Sequence, residues 1–120
     1  MTGGKRLTDR IAAWGRIVAG VEAGYAYGLD DWLNDMDLRR GIDEALNALA
    51  PRERLRNKAS IERLATSDAR FRKATVAAGK CLWGSAVAAR EGWHADRQWW
   101  YFRKPRIGNA ELAQDIDAVA

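Results

Sequence analysis

Near the end of the chain, the stretch QWWYFRKPR (98–106) sets Trp99, Trp100, Tyr101 and Phe102 directly before Arg103, Lys104 and Arg106. Two kinds of recognition use these residue types. Large rings anchor protein interfaces, and rings interleaved with cations stack unpaired bases while neutralising phosphates. If 98–104 is extended, side chains alternate. Trp99, Tyr101 and Arg103 then share one face, and Trp100, Phe102 and Lys104 the other. Buried on both faces, the arm is core with its cations snorkelling outward. Buried on one face, it leaves rings outside beside charge. All seven residues are the expected partner-binding set.

A second basic group is PRERLRNK, where Arg52, Arg54, Arg56 and Lys58 are candidate phosphate contacts. A solvated helix start is the plainer use of such a run. The acidic counterpart is Asp30, Asp31, Asp35 and Asp37. Asp31 and Asp35 lie four apart and share a helical face. Such a pair can hold Mg²⁺ with a substrate phosphate. No second ligand set accompanies it, and acids early in a helix are stabilising by themselves. The four are read as an acidic docking face for a basic partner, against the alternative of a solvated helix face.

Catalytic signatures are missing. His94 is the only histidine and Cys81 the only cysteine. They could meet as a thiolate pair, or His94 could work with Asp96, but a buried cysteine and a loop histidine are the simpler readings. No Walker loop, dinucleotide fingerprint, H-E-x-x-H or C-x-x-C occurs. The expectation is a non-enzymatic protein with no catalytic set, no metal and no cofactor.

Charge is segregated. The formal net charge is +4, yet residues 49–106 carry a surplus of nine positive charges, while 1–48 and 107–120 are net acidic. Such asymmetry points to an anionic partner, or to halves that attract each other within the fold. Six tryptophans in 120 residues exceed what a small core needs, which favours an interface. Arginine far outnumbers lysine among the 20 basic residues, a usage typical of GC-rich bacterial or phage genomes. The unpaired cysteine fits a reducing compartment. The polar start MTGGKRLTDR does not suit a signal peptide, and the most apolar run (17–29) contains Glu22 and is short for a membrane span. A cytoplasmic protein is expected, with no membrane partner.

These residues need elements to position them. Ile11, Trp14, Val18, Val21 and Tyr25 step by three and four and predict a helix over 7–28, capped by Thr8 or Asp9. Gly20, Gly24 and Gly28 recur on one face and suggest close backbone packing there, with an early helix end near Gly24 as the alternative. The segment 29–49 is helical with two displaced apolar stripes, so a kink is expected near 37–41, with Arg39 and Arg40 outside the core. Pro51 ends that element or opens the next. Helices follow over 52–66 and 68–79, with Ser67 or Asp68 as a new cap, and helical patterning continues over 80–91. The stretch 98–104 reads as extended, and Asn109 caps a last helix bearing Leu112, Ile116 and Val119. A lone strand must pair with a second short strand or another chain, or lie as an irregular arm.

The expected fold is mainly α. It is a compact single-domain helical bundle (1–120) of about five short helices, with one short extended aromatic arm (98–104) before the C-terminal helix. The expected function is a small binding or regulatory protein acting through a protein–protein interface. An inhibitor of a larger nucleic-acid-handling or defence complex is one version. The alternative is a nucleic-acid-binding module using 52–58 and 97–106. A homodimer stays open.

Overall fold

The computed structural model describes residues 3–120, with side chains from Arg6 onward. Helix α1 (Gly3–Ala23) begins before Thr8 and Asp9, so neither caps it. Its stripe of Leu7, Ile11, Trp14, Val18 and Val21 is almost fully buried. The helix stops at Ala23 because Gly24 takes φ +108°, a conformation that favours glycine. Tyr25 then leaves the helix, turns into the core and donates its backbone N–H to the Ile107 carbonyl at 2.8 Å. Of the glycine row only Gly24 is closely approached, by the Ile107 side chain, and the helix ends there; a Cβ on Gly20 or Gly28 would meet nothing within 4 Å.

Helix α2 (Leu29–Asn47) starts with Asp31 accepting the Gly28 N–H at 3.3 Å. It runs unbroken through 37–41, against the expected kink. The two apolar stripes are bridged by Arg39, which lies buried between Met36 and Ile42 instead of outside the core. Periodicity alone counted a cation as a gap, but a paired arginine can occupy a core position.

Pro51 opens helix α3 (Pro51–Arg56), whose Glu53 carboxylate accepts the Ala50 N–H at 2.9 Å. None of its residues is buried. After Asn57, helix α4 (Lys58–Ala74) continues through Ser67 and Asp68, so the expected break there is absent. Asp68 is used sideways, toward α1 and α2. Strand β1 (Thr75–Ala77) follows, and helix α5 occupies only Ser85–Glu91 of the helical stretch expected over 80–91.

The aromatic arm is the largest departure from expectation. Trp99–Phe102 form one 3-10 turn, and only Arg103–Pro105 are extended, as strand β2. The simple alternation predicted for 98–104 is therefore replaced. β2 pairs antiparallel with β1, Thr75 opposite Pro105, Val76 opposite Lys104 and Ala77 opposite Arg103. The strand thus finds its partner within the chain. In helix α6 (Ala110–Ala118) the Asn109 side chain accepts the Leu112 N–H at 2.7 Å, as the sequence predicts, with Leu112 and Ile116 buried.

The fold is mainly helical, with six α-helices among the described residues and the two short strands. α1 and α2 are longer than the short helices expected. α1 packs against both α2 and α4, and α6 and the 3-10 turn pack against α2. The centre is a continuous set of rings. Trp14 meets Phe71 at 5.0 Å between centroids, Phe71 stacks on Trp32 at 5.8 Å, and Trp32 takes Tyr25 edge-on at 4.8 Å. Burial of these large side chains is the main stabilising contribution.

Candidate functional site

Three polar constellations are built onto this aromatic centre. The innermost joins α2 to α4. Arg39 donates from Nε to Asp68 Oδ1 at 3.1 Å and from Nη2 to Oδ2 at 2.9 Å, and Trp14 Nε1 adds a third donor to the same carboxylate at 3.0 Å. The Arg39 guanidinium also lies 4.8 Å from the Trp100 ring centroid. Its Nη1 and the indole nitrogens of Trp32 and Trp100 are buried without a hydrogen-bond partner. The chemistry here is structural. A desolvated ion pair of this kind is costly to break and specifies how two helices meet.

The second constellation joins α2 to the 3-10 turn and the segment before α5. The Tyr101 hydroxyl donates to Asp37 Oδ1 at 2.5 Å and accepts from Arg40 Nε at 2.9 Å. Trp83 Nε1 donates to the same Asp37 oxygen at 3.2 Å. Trp93 stacks on Tyr101 at 4.2 Å. Burial, with Asp37 beside it, pushes the Tyr101 hydroxyl well above the ordinary tyrosine value, so it stays a neutral donor.

The third is a cationic rim at the C-terminal end of α4, around the β1–β2 pair. Helices end with unpaired carbonyls that attract cations. Arg103 donates from Nε to Thr75 Oγ1 at 2.7 Å, and from Nη2 to the carbonyls of Thr75 at 3.0 Å and Arg72 at 3.1 Å. Arg106 Nε reaches the Lys73 carbonyl at 2.8 Å. Arg72 lies over Trp99, its Cζ 3.8 Å from the ring centroid. Burial, with Arg72 and Arg106 nearby, holds Arg103 below the ordinary arginine value. Ion pairs among the described residues join Arg39 to Asp68, Arg40 to Glu44, Arg70 to Glu22 and Arg90 to Glu91. None involves Arg72, Lys73, Arg103, Lys104 or Arg106.

Beside the rim, Lys104 and Arg106 line a cleft of about 380 Å³ with an apolar floor that includes Val76, Leu112 and Ile116, and with Asp117 also in its wall.

The residues singled out from sequence are thus dispersed. Of the arm, Trp100 and Tyr101 are 1% and 0% exposed, which leaves them no surface to offer a partner in this conformation. Trp99 and Phe102 are half-buried, and Arg103, Lys104 and Arg106 turn toward the rim. Arg52, Arg54, Arg56 and Lys58 are exposed on and after α3, away from the arm's cations in sequence and element, and Arg54 reaches back to the Leu46 carbonyl at 3.1 Å. The acidic set does not form one face. Asp30 and Asp31 are exposed in the first turn of α2, Asp35 accepts the Tyr25 hydroxyl at 2.6 Å, and Asp37 is held by Tyr101 and Trp83. Burial raises Asp35 above the ordinary aspartate value, with the Tyr25 hydrogen bond opposing and Asp31 adding to the rise. Cys81 is buried, and burial pushes its thiol up, away from thiolate chemistry, while His94 is exposed in a turn. Among the described residues no group of three or more His, Cys, Asp or Glu side chains could hold a metal, and no helix is long and apolar enough to cross a membrane.

Sequence reasoning placed Arg39 outside the core and read Asp68 as a cap, and it did not single out Arg72. The signal for the first pair was the phase break in α2, which an arginine at a core position explains. Arg72 carried no signal, because its partner Trp99 lies on a distant segment.

These features define a small all-α protein with an aromatic centre and a cationic end whose charges form no ion pair among the described residues. No protein-family model, no curated protein and no solved structure matches this chain.

Proposed function

We propose that this is a non-enzymatic binding protein, of bacterial or phage origin by its arginine-rich composition, whose working surface is the cationic rim and whose partner is a polyanion. The observation that supports it is the set Arg72, Lys73, Arg103, Lys104 and Arg106, gathered at one end of α4 without a carboxylate partner among the described residues. On the same helix, Arg70 is paired with Glu22, while Glu22 and Asp117 share clefts with the rim cations Lys73, Lys104 and Arg106 without forming an ion pair with them. Concentrated unpaired charge steers an oppositely charged partner and is lost to salt. This reading takes up the nucleic-acid alternative of the sequence in broader form. Because Trp100 and Tyr101 are core, it takes from the arm mainly its cations.

The test is capture of partners from a bacterial lysate by the wild-type chain and by the double variant Lys104→Glu, Arg106→Glu, at low and at physiological salt. A specific catch that weakens with salt and disappears in the variant supports the reading. A catch indifferent to both shows that the rim is not the working surface.

A protein partner is the second reading, and one observation favours it: Leu55 is 73% exposed on α3, among Arg52, Arg54 and Arg56. An apolar side chain ringed by cations suits an acidic surface with a small pocket, the arrangement of an inhibitor docking on a larger machine.

A further inference from the structure

Resting on the cationic rim as the working surface, we infer that the polyanion is single-stranded nucleic acid, with an unpaired base laid on the Arg72 guanidinium and the sugar–phosphate chain passing Arg103, Lys104 and Arg106.

The Arg72–Trp99 pair carries the argument. At 3.8 Å from Cζ to ring centroid, the guanidinium lies over the indole at van der Waals contact. Trp99 is itself braced, by Phe71 at 5.8 Å and edge-on by Trp100 at 5.6 Å. One side of the guanidinium is spent on the indole. Arg72 is otherwise exposed to solvent. A guanidinium plane or an indole is a platform on which any base stacks, whatever its sequence. Stacking on Trp99 holds the plane in place before a ligand arrives.

The flanking cations are held as well. Arg103 is fixed by three hydrogen bonds and Arg106 by one, all to residues 72–75, so each has less side-chain freedom to lose on binding. Lys104, opposite Val76 in the register, lies on the other face of the strand pair from Arg103 and shares the adjoining cleft with Arg106. One stacking plane with two positioned cations beside it, and a third reached past Arg106, matches the repeat of a single strand: a base to stack and phosphates to neutralise. A duplex hides its base faces and can use only the cations. An acidic protein surface likewise needs charge but no stacking plane.

The experiment measures fluorescence anisotropy with three labelled probes of equal length, about 12 nucleotides: oligothymidylate, an abasic sugar–phosphate oligomer and a duplex. Oligothymidylate is expected to bind about ten-fold more tightly than the abasic oligomer. Arg72→Lys keeps the charge and removes the plane. It is expected to reduce oligothymidylate binding to about the abasic level without changing the salt dependence. Lys104→Ala should weaken both single-stranded probes and lower the log–log salt slope by about 0.7. Arg72 is exposed and its replacement keeps the charge, and circular dichroism of the variant is the check that it folds. Equal affinity for the base-bearing and abasic probes, or an Arg72→Lys variant that binds like wild type, overturns the inference. Suppose no probe binds, yet lysate capture still depends on Lys104 and Arg106. Then the inference fails, the cationic rim stands, and the partner is an acidic protein. If capture too ignores charge reversal, both fall.

Discussion

Arg39 and Asp68 meet through two near-parallel hydrogen bonds of 3.1 and 2.9 Å, the arginine side chain 7% and the aspartate 18% exposed. The pair ties the middle of α2 to the middle of α4 across the aromatic centre. Removing one partner strands the other charge away from water. Arg39→Ala or Asp68→Ala is therefore expected to cost about 3–5 kcal/mol, read as a lower urea midpoint at unchanged m-value. Replacing both with apolar residues of similar volume should recover most of that loss. A single substitution costing under about 1 kcal/mol would show that the pair is not desolvated in solution.

Two tryptophans that are neighbours in sequence should behave differently. Trp100→Ala empties a fully buried site and is expected to cost about 3–5 kcal/mol in a chemical denaturation series. Trp99→Phe keeps a ring against Phe71 and should cost under about 1.5 kcal/mol. Similar losses at both positions would contradict the burial described above.

Two glycines of α1 and its exit make an opposed pair. Gly24 takes φ +108°, and a Cβ there would come within 3.1 Å of Ile107 Cγ2, so Gly24→Ala should destabilise by more than about 1 kcal/mol. Gly20 is helical, and a Cβ there would meet nothing within 4 Å, so Gly20→Ala should stabilise by about 0.5–1 kcal/mol. Thermal melts of the two variants should shift in opposite directions.

Asp35 gives the fold a pH dependence of unusual sign for a carboxylate. Its folded pKa is raised, mainly by burial, so the folded state holds this proton more tightly than the unfolded chain does. The contribution is fully present below the unfolded value of about 3.9 and is lost as pH rises through the higher folded value. Asp35→Asn keeps an acceptor for the Tyr25 hydroxyl and removes the titration. Its stability relative to wild type should rise across that window, measured by urea midpoints from about pH 3 to pH 7. A difference that does not change with pH would show that Asp35 is solvated.

Leu55 lies on a helix with no buried residue, so Leu55→Ser is expected to change stability by no more than about 0.5 kcal/mol. If a protein partner docks on α3, the same variant should lose that partner while retaining any affinity for the oligonucleotide probes. Unchanged capture of the partner would remove the second reading.

The main elements were legible because their apolar residues recur at helical spacing: the stripes of α1 and α6, the start of α2 and the Asn109 cap all follow from local pattern. The arm was not. Four consecutive aromatic residues have the composition of a strand, but tertiary packing of Trp100 and Tyr101 favours a tight 3-10 turn and leaves only Arg103–Pro105 extended. Asp68 was read as a cap because aspartate favours helix starts. Its actual role depends on Arg39 and Trp14, 29 and 54 positions away, which no local pattern encodes. The cations of the arm were legible as a group. Their gathering with Arg72 and Lys73 depends on the pairing of β1 with β2.

The turn at 48–50 joins two stretches that share almost everything at the centre. Trp14 and Trp32 rest on Phe71, Asp37 holds Tyr101, and Tyr25 bonds to Ile107. Neither half keeps a complete set of ring contacts alone. A chain severed within that turn would yield two pieces, each unable to hold its shape by itself and each the missing wall of the other. Mixed together, they would regain helicity as a one-to-one complex, a split protein whose reassembly reports on the closure of the aromatic centre.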